Sequence, residues 1–165
     1  MPTDTAPIPP SSQRTWMAEA VRLATENVHD GGGPFGALVA RDGEVVATGT
    51  NLVTTDLDPT AHAEVTAIRA ACRALGTFSL RGCLLVTSCE PCPMCLATAQ
   101  WSRLDAVLYA ADREDAALAG FDDRSFHDLF RDPDPVWPTP LRRVELSGRN
   151  APFEAWRDKA DRVEY

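Results

Sequence analysis

Trp16, Met17, Ala20, Val21, Ala24 and Val28 recur at the spacing of one helical face, and Gly31, Gly32 and Gly33 end the run. This predicts a first helix with Ser12 as its N-cap. Residues 37–40 and 45–48 are two short β-prone runs divided by Asp42-Gly43, a hairpin signal that predicts antiparallel pairing. The chain is polar from 51 to 60, and then Ala61, Val65, Ile68, Cys72 and Leu75 mark a second helical face. Residues 83–87 read as a buried strand, 93–101 as a third helix and 106–110 as another strand, an order that implies a parallel crossover. Beyond Gly120 the periodicity breaks. Pro133, Pro135, Pro138 and Pro140 leave room only for a short helix over 125–130. Residues 141–146 fit a last strand and 153–163 a last helix. The pattern predicts a three-layer α/β/α domain around one mixed five-stranded sheet.

A chain of 165 residues fits a single domain, and one of this size buries roughly 70% of the surface it would expose unfolded. That domain is expected to span residues 14–165. Residues 1–13, with Pro2, Pro7, Pro9 and Pro10 and neither a basic start nor an apolar stretch, read as a loose arm, not a signal peptide. Although 44% of residues are apolar, no run approaches the roughly 18 to 20 that a membrane span needs. Sixteen basic residues stand against twenty-four acidic ones, for a net charge of -8, and only Arg142 and Arg143 sit together as a basic pair. Nucleic-acid affinity rests on clustered Lys and Arg, so the balance points away from a duplex or tRNA and toward a small neutral substrate. The five cysteines are odd in number and three crowd between 89 and 95. That spacing suits a metal site in a reducing cytoplasm better than a disulfide framework.

Two predicted helix starts carry the chemistry. Thr60-Ala61-His62-Ala63-Glu64 opens the second helix and Glu90-Pro91-Cys92-Pro93-Met94-Cys95 opens the third. Cys92 and Cys95, three apart on a first turn, can present both sulfurs to one side, where the helix dipole favours thiolates. With the His62 imidazole they make three soft ligands for one zinc per chain, and a catalytic zinc keeps its fourth position for water. Zinc lowers the pKa of bound water from about 15.7 to near 7, which supplies a nucleophile for a hydrolytic reaction. Glu64 then serves as proton shuttle. Residues two apart on a regular helix point in nearly opposite directions, so His62 and Glu64 share a site only if it lies off the helix end.

Simpler roles exist for several of these residues. Cys89, Cys92 and Cys95 with His62 would also suit a closed structural Cys3His zinc site, in a non-catalytic interaction module. Cys72 and Cys83 fall on apolar faces as packing residues. His29 and His127 lie far from the ligand motifs and read as surface or turn residues. The run Gly31 to Gly33 lacks the lysine of a phosphate loop.

H-x-E with P-C-x-x-C is the signature of zinc nucleobase deaminases. Around it the chain resembles the bacterial guanine deaminases of the cytidine-deaminase fold. The resemblance rests on Gly32-Gly33-Pro34-Phe35-Gly36-Ala37, Asp58-Pro59-Thr60-Ala61-His62-Ala63-Glu64, Thr87-Ser88-Cys89-Glu90-Pro91-Cys92-Pro93-Met94-Cys95-Leu96, Ala119-Gly120-Phe121-Asp122-Asp123 and Glu164-Tyr165. It departs at Ala97, Thr98 and Gln100, and Arg124 stands as an extra residue. The resemblance implies that Asn51 hydrogen-bonds the purine, that Phe35 and Trp101 flank its faces, and that Asp123 contacts the base or assists proton transfer. Asn51 could instead shape a turn, Phe35 join the core and Asp123 cap the short helix. The resemblance further implies a homodimer in which residues 141–165 cross over and Tyr165 closes the partner's site. Guanosine, a triazine such as ammeline, cytosine, and tRNA adenosine are the rival substrates.

Overall fold

The computed structural model describes residues 9–164. Its first helix, α1 (Pro10–His29), begins earlier than expected: Pro9 is the N-cap, and Ser12 lies inside the first turn without capping it. A proline at N1 lacks only an N–H that would have no helical partner and presets the helical φ, so it starts the helix instead of delaying it. Residues 10–13 therefore belong to α1, not to an arm; residues 1–8 lie outside the described part.

Strands β1 (Gly33–Arg41) and β2 (Glu44–Asn51) form the expected antiparallel hairpin, turning at Asp42 and Gly43 with φ of 51° and 87°. The positive φ at both turn residues matches the twist of the strands and explains the Asp-Gly pair. A short helix α2 (Val53–Asp56) follows, then α3 (Ala63–Leu75), β3 (Cys83–Cys89), α4 (Pro93–Trp101) and β4 (Ala106–Ala111). The sheet order is β2-β1-β3-β4, with β3 antiparallel to β1 and parallel to β4 across the α4 crossover. Along β1 the pleat sorts side chains by face. Ala37 and Val39 pack with α3 residues Ala63, Ala67, Ile68 and Ala71, whereas Leu38 and Ala40 pack with Trp16 and Ala20 of α1. The result is the expected α/β/α layering.

The close approach of α3 needs Gly49. A Cβ there would collide with the Ala67 nitrogen and lie 2.5 Å from the Ala63 oxygen. Gly36 does the same for α1, where a Cβ would sit 2.5 Å from the Ala20 oxygen.

Among the described residues the sheet has four strands, not five. Residues 141–146 adopt no strand, and Leu141, Val144 and Leu146 are exposed. A β-prone run becomes a strand only where another edge accepts its backbone hydrogen bonds. In the chain, α5 (Arg113–Leu118) and α6 (Arg124–Arg131) precede this segment and α7 (Ala151–Asp158) follows it. Among the described residues no helix is long and apolar enough to cross a membrane.

Candidate zinc and nucleobase site

The parallel strands β3 and β4 end side by side, paired at Cys89 and Ala111, and the site forms beyond those carboxyl ends. There α3 and α4 start in the same way. His62 is the N-cap of α3 and Cys92 the N-cap of α4, both extended, with ψ of 155° and 166°. An extended cap residue turns its side chain off the helix end, which removes the constraint that His62 and Glu64 point apart. His62 Nδ1 lies 3.6 Å from Cys92 Sγ and 3.5 Å from Cys95 Sγ. Tetrahedral zinc with Zn–N near 2.05 Å and Zn–S near 2.3 Å separates nitrogen and sulfur by about 3.6 Å. The three residues thus fit a zinc ion, and they form the ligand group found among the described residues.

Cys89 takes no part in that group. Its Sγ lies 3.6 Å from the Asp112 carbonyl, to which the thiol donates, and burial pushes its pKa up to about 11. This placement leaves Cys89 outside the group that could hold a metal. Without metal, hydrogen bonds from Cys95 and then His62 draw the Cys92 thiol down to about 4, despite its burial. Cys95 shifts upward because it donates the proton that Cys92 accepts. His62 is raised, chiefly by its hydrogen bond to Cys92. These shifts mark Cys92 as the thiolate donor of the group.

Glu64 is 5% exposed, and burial raises its pKa. Thr87 donates from Oγ1 to Glu64 Oε1 at 3.2 Å, while Oε2 lies 3.4 Å from Cys95 Sγ, on the metal side. Thr87 was not anticipated. Its signal is the hydroxyl pair Thr87-Ser88 that interrupts the apolar run of β3 just before Cys89.

His62, Glu64 and Cys92 open into a cavity of about 760 Å³, also lined by Phe35, Asn51, Glu90, Arg113, Phe121 and Asp123. The β1–β2 register shifts between Gly33 and Gly36, and this irregularity leaves Phe35 out of the ladder and on the cavity wall. Its ring meets Phe121 edge-on, 5.1 Å between centroids. Asn51 takes the turn-shaping role, its Oδ1 accepting the Val53 N–H at 3.3 Å, and the residue also lines the cavity. Asn27, unforeseen, staples the rim by donating to the carbonyls of Gly33 and Asn51 at 2.8 and 2.9 Å. The Arg113 guanidinium pairs with Glu90, which ties the cysteine loop to α5 and lowers the Glu90 pKa.

Asp123 holds the N-cap position of α6, yet its side chain makes no capping bond. It lines the cavity instead. His127 is buried at 6% exposure, contrary to the surface role expected for it, while His29 is exposed as expected. In α6 it lies one turn from Asp123, its Nε2 3.3 Å from Asp123 Oδ2. Trp101 is not brought to this cavity. It lies with Phe78 and Trp156 around a second depression of about 620 Å³. Tyr165 lies outside the described residues.

A zinc ion held by one imidazole and two thiolates at paired helix starts, beside a buried carboxylate, defines a hydrolytic metal site. Residues 10–111 match the cytidine and deoxycytidylate deaminase zinc-binding region, and the chain belongs to that family. Guanine deaminase of Bacillus subtilis (strain 168) is 50% identical over 155 residues, 93% of this chain and 99% of the relative. The crystal structure of guanine deaminase from Bacillus subtilis superposes with a TM-score of 0.87 at 51% identity, covering 92% of this chain and 98% of that one. A structure of guanine deaminase from Nitrosomonas europaea matches at 0.64 and 32% identity over 71% of this chain and 75% of its own. The tRNA-specific adenosine deaminase of Bacillus subtilis is 40% identical over 58% of this chain and 60% of its own length.

Proposed function

We propose that this chain is a zinc-dependent guanine deaminase, converting guanine and water to xanthine and ammonia. The observation that carries the reading is the reach of the likeness to the Bacillus subtilis guanine deaminase. At 93% of the chain it runs far beyond the zinc-binding region and takes in Phe121 and Asp123, which wall the cavity. The match to the tRNA deaminase covers 58%. A net charge of -8 and the carboxylates of Glu90, Asp122 and Asp123 at the cavity repel phosphates and suit a free base.

Zinc bound by His62, Cys92 and Cys95 supplies water acidic enough to act as a nucleophile near neutral pH. Glu64 takes the proton of the attacking water, hands it to the ring nitrogen beside the amino-bearing carbon, and assists the departure of ammonia. Its burial favours the protonated form that the donating half of this cycle needs. The Thr87 hydroxyl holds one carboxylate oxygen so that the other stays on the metal side. Asn51 hydrogen-bonds the purine edge, Phe35 flanks its face, and Asp123 is a second carboxylate on the base.

In this reading the working unit is a cytoplasmic homodimer. Five free thiols suit a reducing compartment. Leu141, Val144, Leu146, Phe153 and Val163 are each more than 60% exposed, an apolar surface that a second copy would cover if residues 141–165 crossed to it.

Ammonia release from guanine, guanosine, cytosine, ammeline and tRNA adenosine tests the proposal. Guanine should be turned over fastest, lose its turnover to a chelator and regain it with zinc. A zinc-loaded protein inert on guanine would sink the reading.

A further inference from the structure

Between the end of β3 and Cys92, the N-cap of α4, the chain has only Glu90 and Pro91. The backbone ties this link to the sheet through the Glu90 N–H, which donates to the Ala111 carbonyl at 2.8 Å. Pro91 has no N–H with which to extend the ladder. A side chain takes over from there. The Glu90 carboxylate accepts three donors from one residue: Oε2 takes the Arg113 backbone N–H at 3.2 Å and the Nε–H at 3.0 Å, and Oε1 takes an Nη2–H.

Among the described residues this is the least exposed pairing of an arginine or lysine with a carboxylate, the two side chains being 20% and 15% exposed. Open pairs such as Arg22 with Glu19 or Arg124 with Asp122 contribute little. A guanidinium fork on a shielded carboxylate is stronger, and it fixes direction as well as distance. Arg113 is also the first residue of α5, whose N-cap Asp112 accepts the Cys89 thiol at its carbonyl. From α5 the chain runs on to Phe121 and Asp123, which line the cavity.

We propose that Arg113 is a positioning residue for the metal: its fork on Glu90 holds the two-residue link before Cys92 and thereby retains zinc. A thiolate on a loose link swings away from the ion, whereas one on a fixed link stays in place to rebind it, so the pair governs how fast zinc is released. Groups outside the ligand set that orient the ligands affect metal affinity about 10–100-fold. The role is indirect, through Glu90 and the backbone, although Arg113 itself lines the cavity.

Zinc transfer from the loaded protein to an excess of chromogenic chelator tests this, in wild type, R113M, E90M and R113M/E90M. The temperature is kept well below every unfolding midpoint, so that release reports the loop and not global unfolding. R113M and E90M should each speed release about tenfold or more. The double variant should exceed the faster single one by less than about twofold, because both remove the same contact. Release at the wild-type rate in R113M and E90M, or losses that simply multiply in the double variant, would overturn the proposal. Should a methionine variant not fold, R113K carries the test, since it keeps the charge and lacks the fork. It should release zinc at least about threefold faster, and wild-type release would overturn the proposal equally.

Kinetics of zinc-saturated R113M on guanine separate positioning from direct contact. The loss in kcat/KM should fall on kcat, with KM within about threefold of wild type. A raised KM with wild-type zinc release would mean that Arg113 touches the base itself, and would refute the positioning role. The release measurement contains no substrate, so its outcome stands apart from the assignment of guanine.

Discussion

Two demands meet at Glu64 in the proposed mechanism, since a proton shuttle must be buried beside the metal and yet keep one oxygen out of the ligand set. The H-x-E spacing marked the residue, but the means of holding it, the Thr87 hydroxyl on Oε1, arises from a strand twenty-three residues away. Glu64→Ala should keep about one zinc per chain and lose turnover at least roughly a hundredfold. Zinc content by atomic absorption checks the first half, and loss of metal would make Glu64 a ligand. The cysteines separate just as sharply. In the metal-free protein, iodoacetamide at pH 7 should label Cys92, whose pKa is about 4, well before Cys89 at about 11. Zinc should protect Cys92. Peptide mapping reads both, and preferential labelling of Cys89 would contradict the assignment. Spacing alone could not exclude Cys89, because whether it reaches the metal depends on where β3 ends and how Pro91 routes the chain.

At the scale of elements, the site exists because two helices begin in the same way at neighbouring strand ends. That much was legible: Pro93–Trp101 reads as a helix from sequence and forms as one, and the parallel crossover follows from the order of elements. Two short helices were not foreseen. α5 spans six residues under a capping box formed by Asp112 and Asp115, and α2 only four, too few turns for a periodicity to show. Asn27 escaped notice because it sits on α1 as an unremarkable polar residue, while both its acceptors lie on other elements. Asn27→Ala would leave the buried carbonyl of Asn51 without that donor, at a cost of about 1–3 kcal/mol. At roughly 2–4 °C per kcal/mol the unfolding midpoint should fall by about 2–12 °C, read by calorimetry. KM for guanine should rise with it, since the staple holds Asn51 at the cavity. An unchanged midpoint would show that the rim is held by other means.

For the whole molecule, zinc joins the start of α3 to the start of α4, so binding energy at the site is also folding energy. A ligand present at a thousandfold above its Kd contributes about 4 kcal/mol to the folded state, which corresponds to a shift of roughly 8–16 °C in the unfolding midpoint. Chelation should lower the midpoint by that order, and an insensitive midpoint would mean that the site forms no part of the cooperative unit. The proposed exchange of residues 141–165 has its own test. Deleting Glu164 and Tyr165 should cut kcat/KM for guanine while leaving zinc content unchanged. Mixing that chain with Glu64→Ala should restore activity above either parent, because the mixed dimer pairs one intact carboxylate with one intact tail. No recovery in a proven heterodimer would place the tail over its own chain's site.

The hairpin, the crossover, the two helix starts and the zinc ligands were determined by local sequence, because turn chemistry and helical or strand period act over a few residues. Tertiary structure decided the rest. A run such as 141–146 is a strand only if an edge receives it, and here none does. His127 looked like a surface residue until α6 turned it inward against Asp123, and Trp101 lines a depression with Phe78 and Trp156 instead of the cavity. Each outcome depends on which distant surface a side chain meets, and the spacing of neighbours along the chain does not encode that.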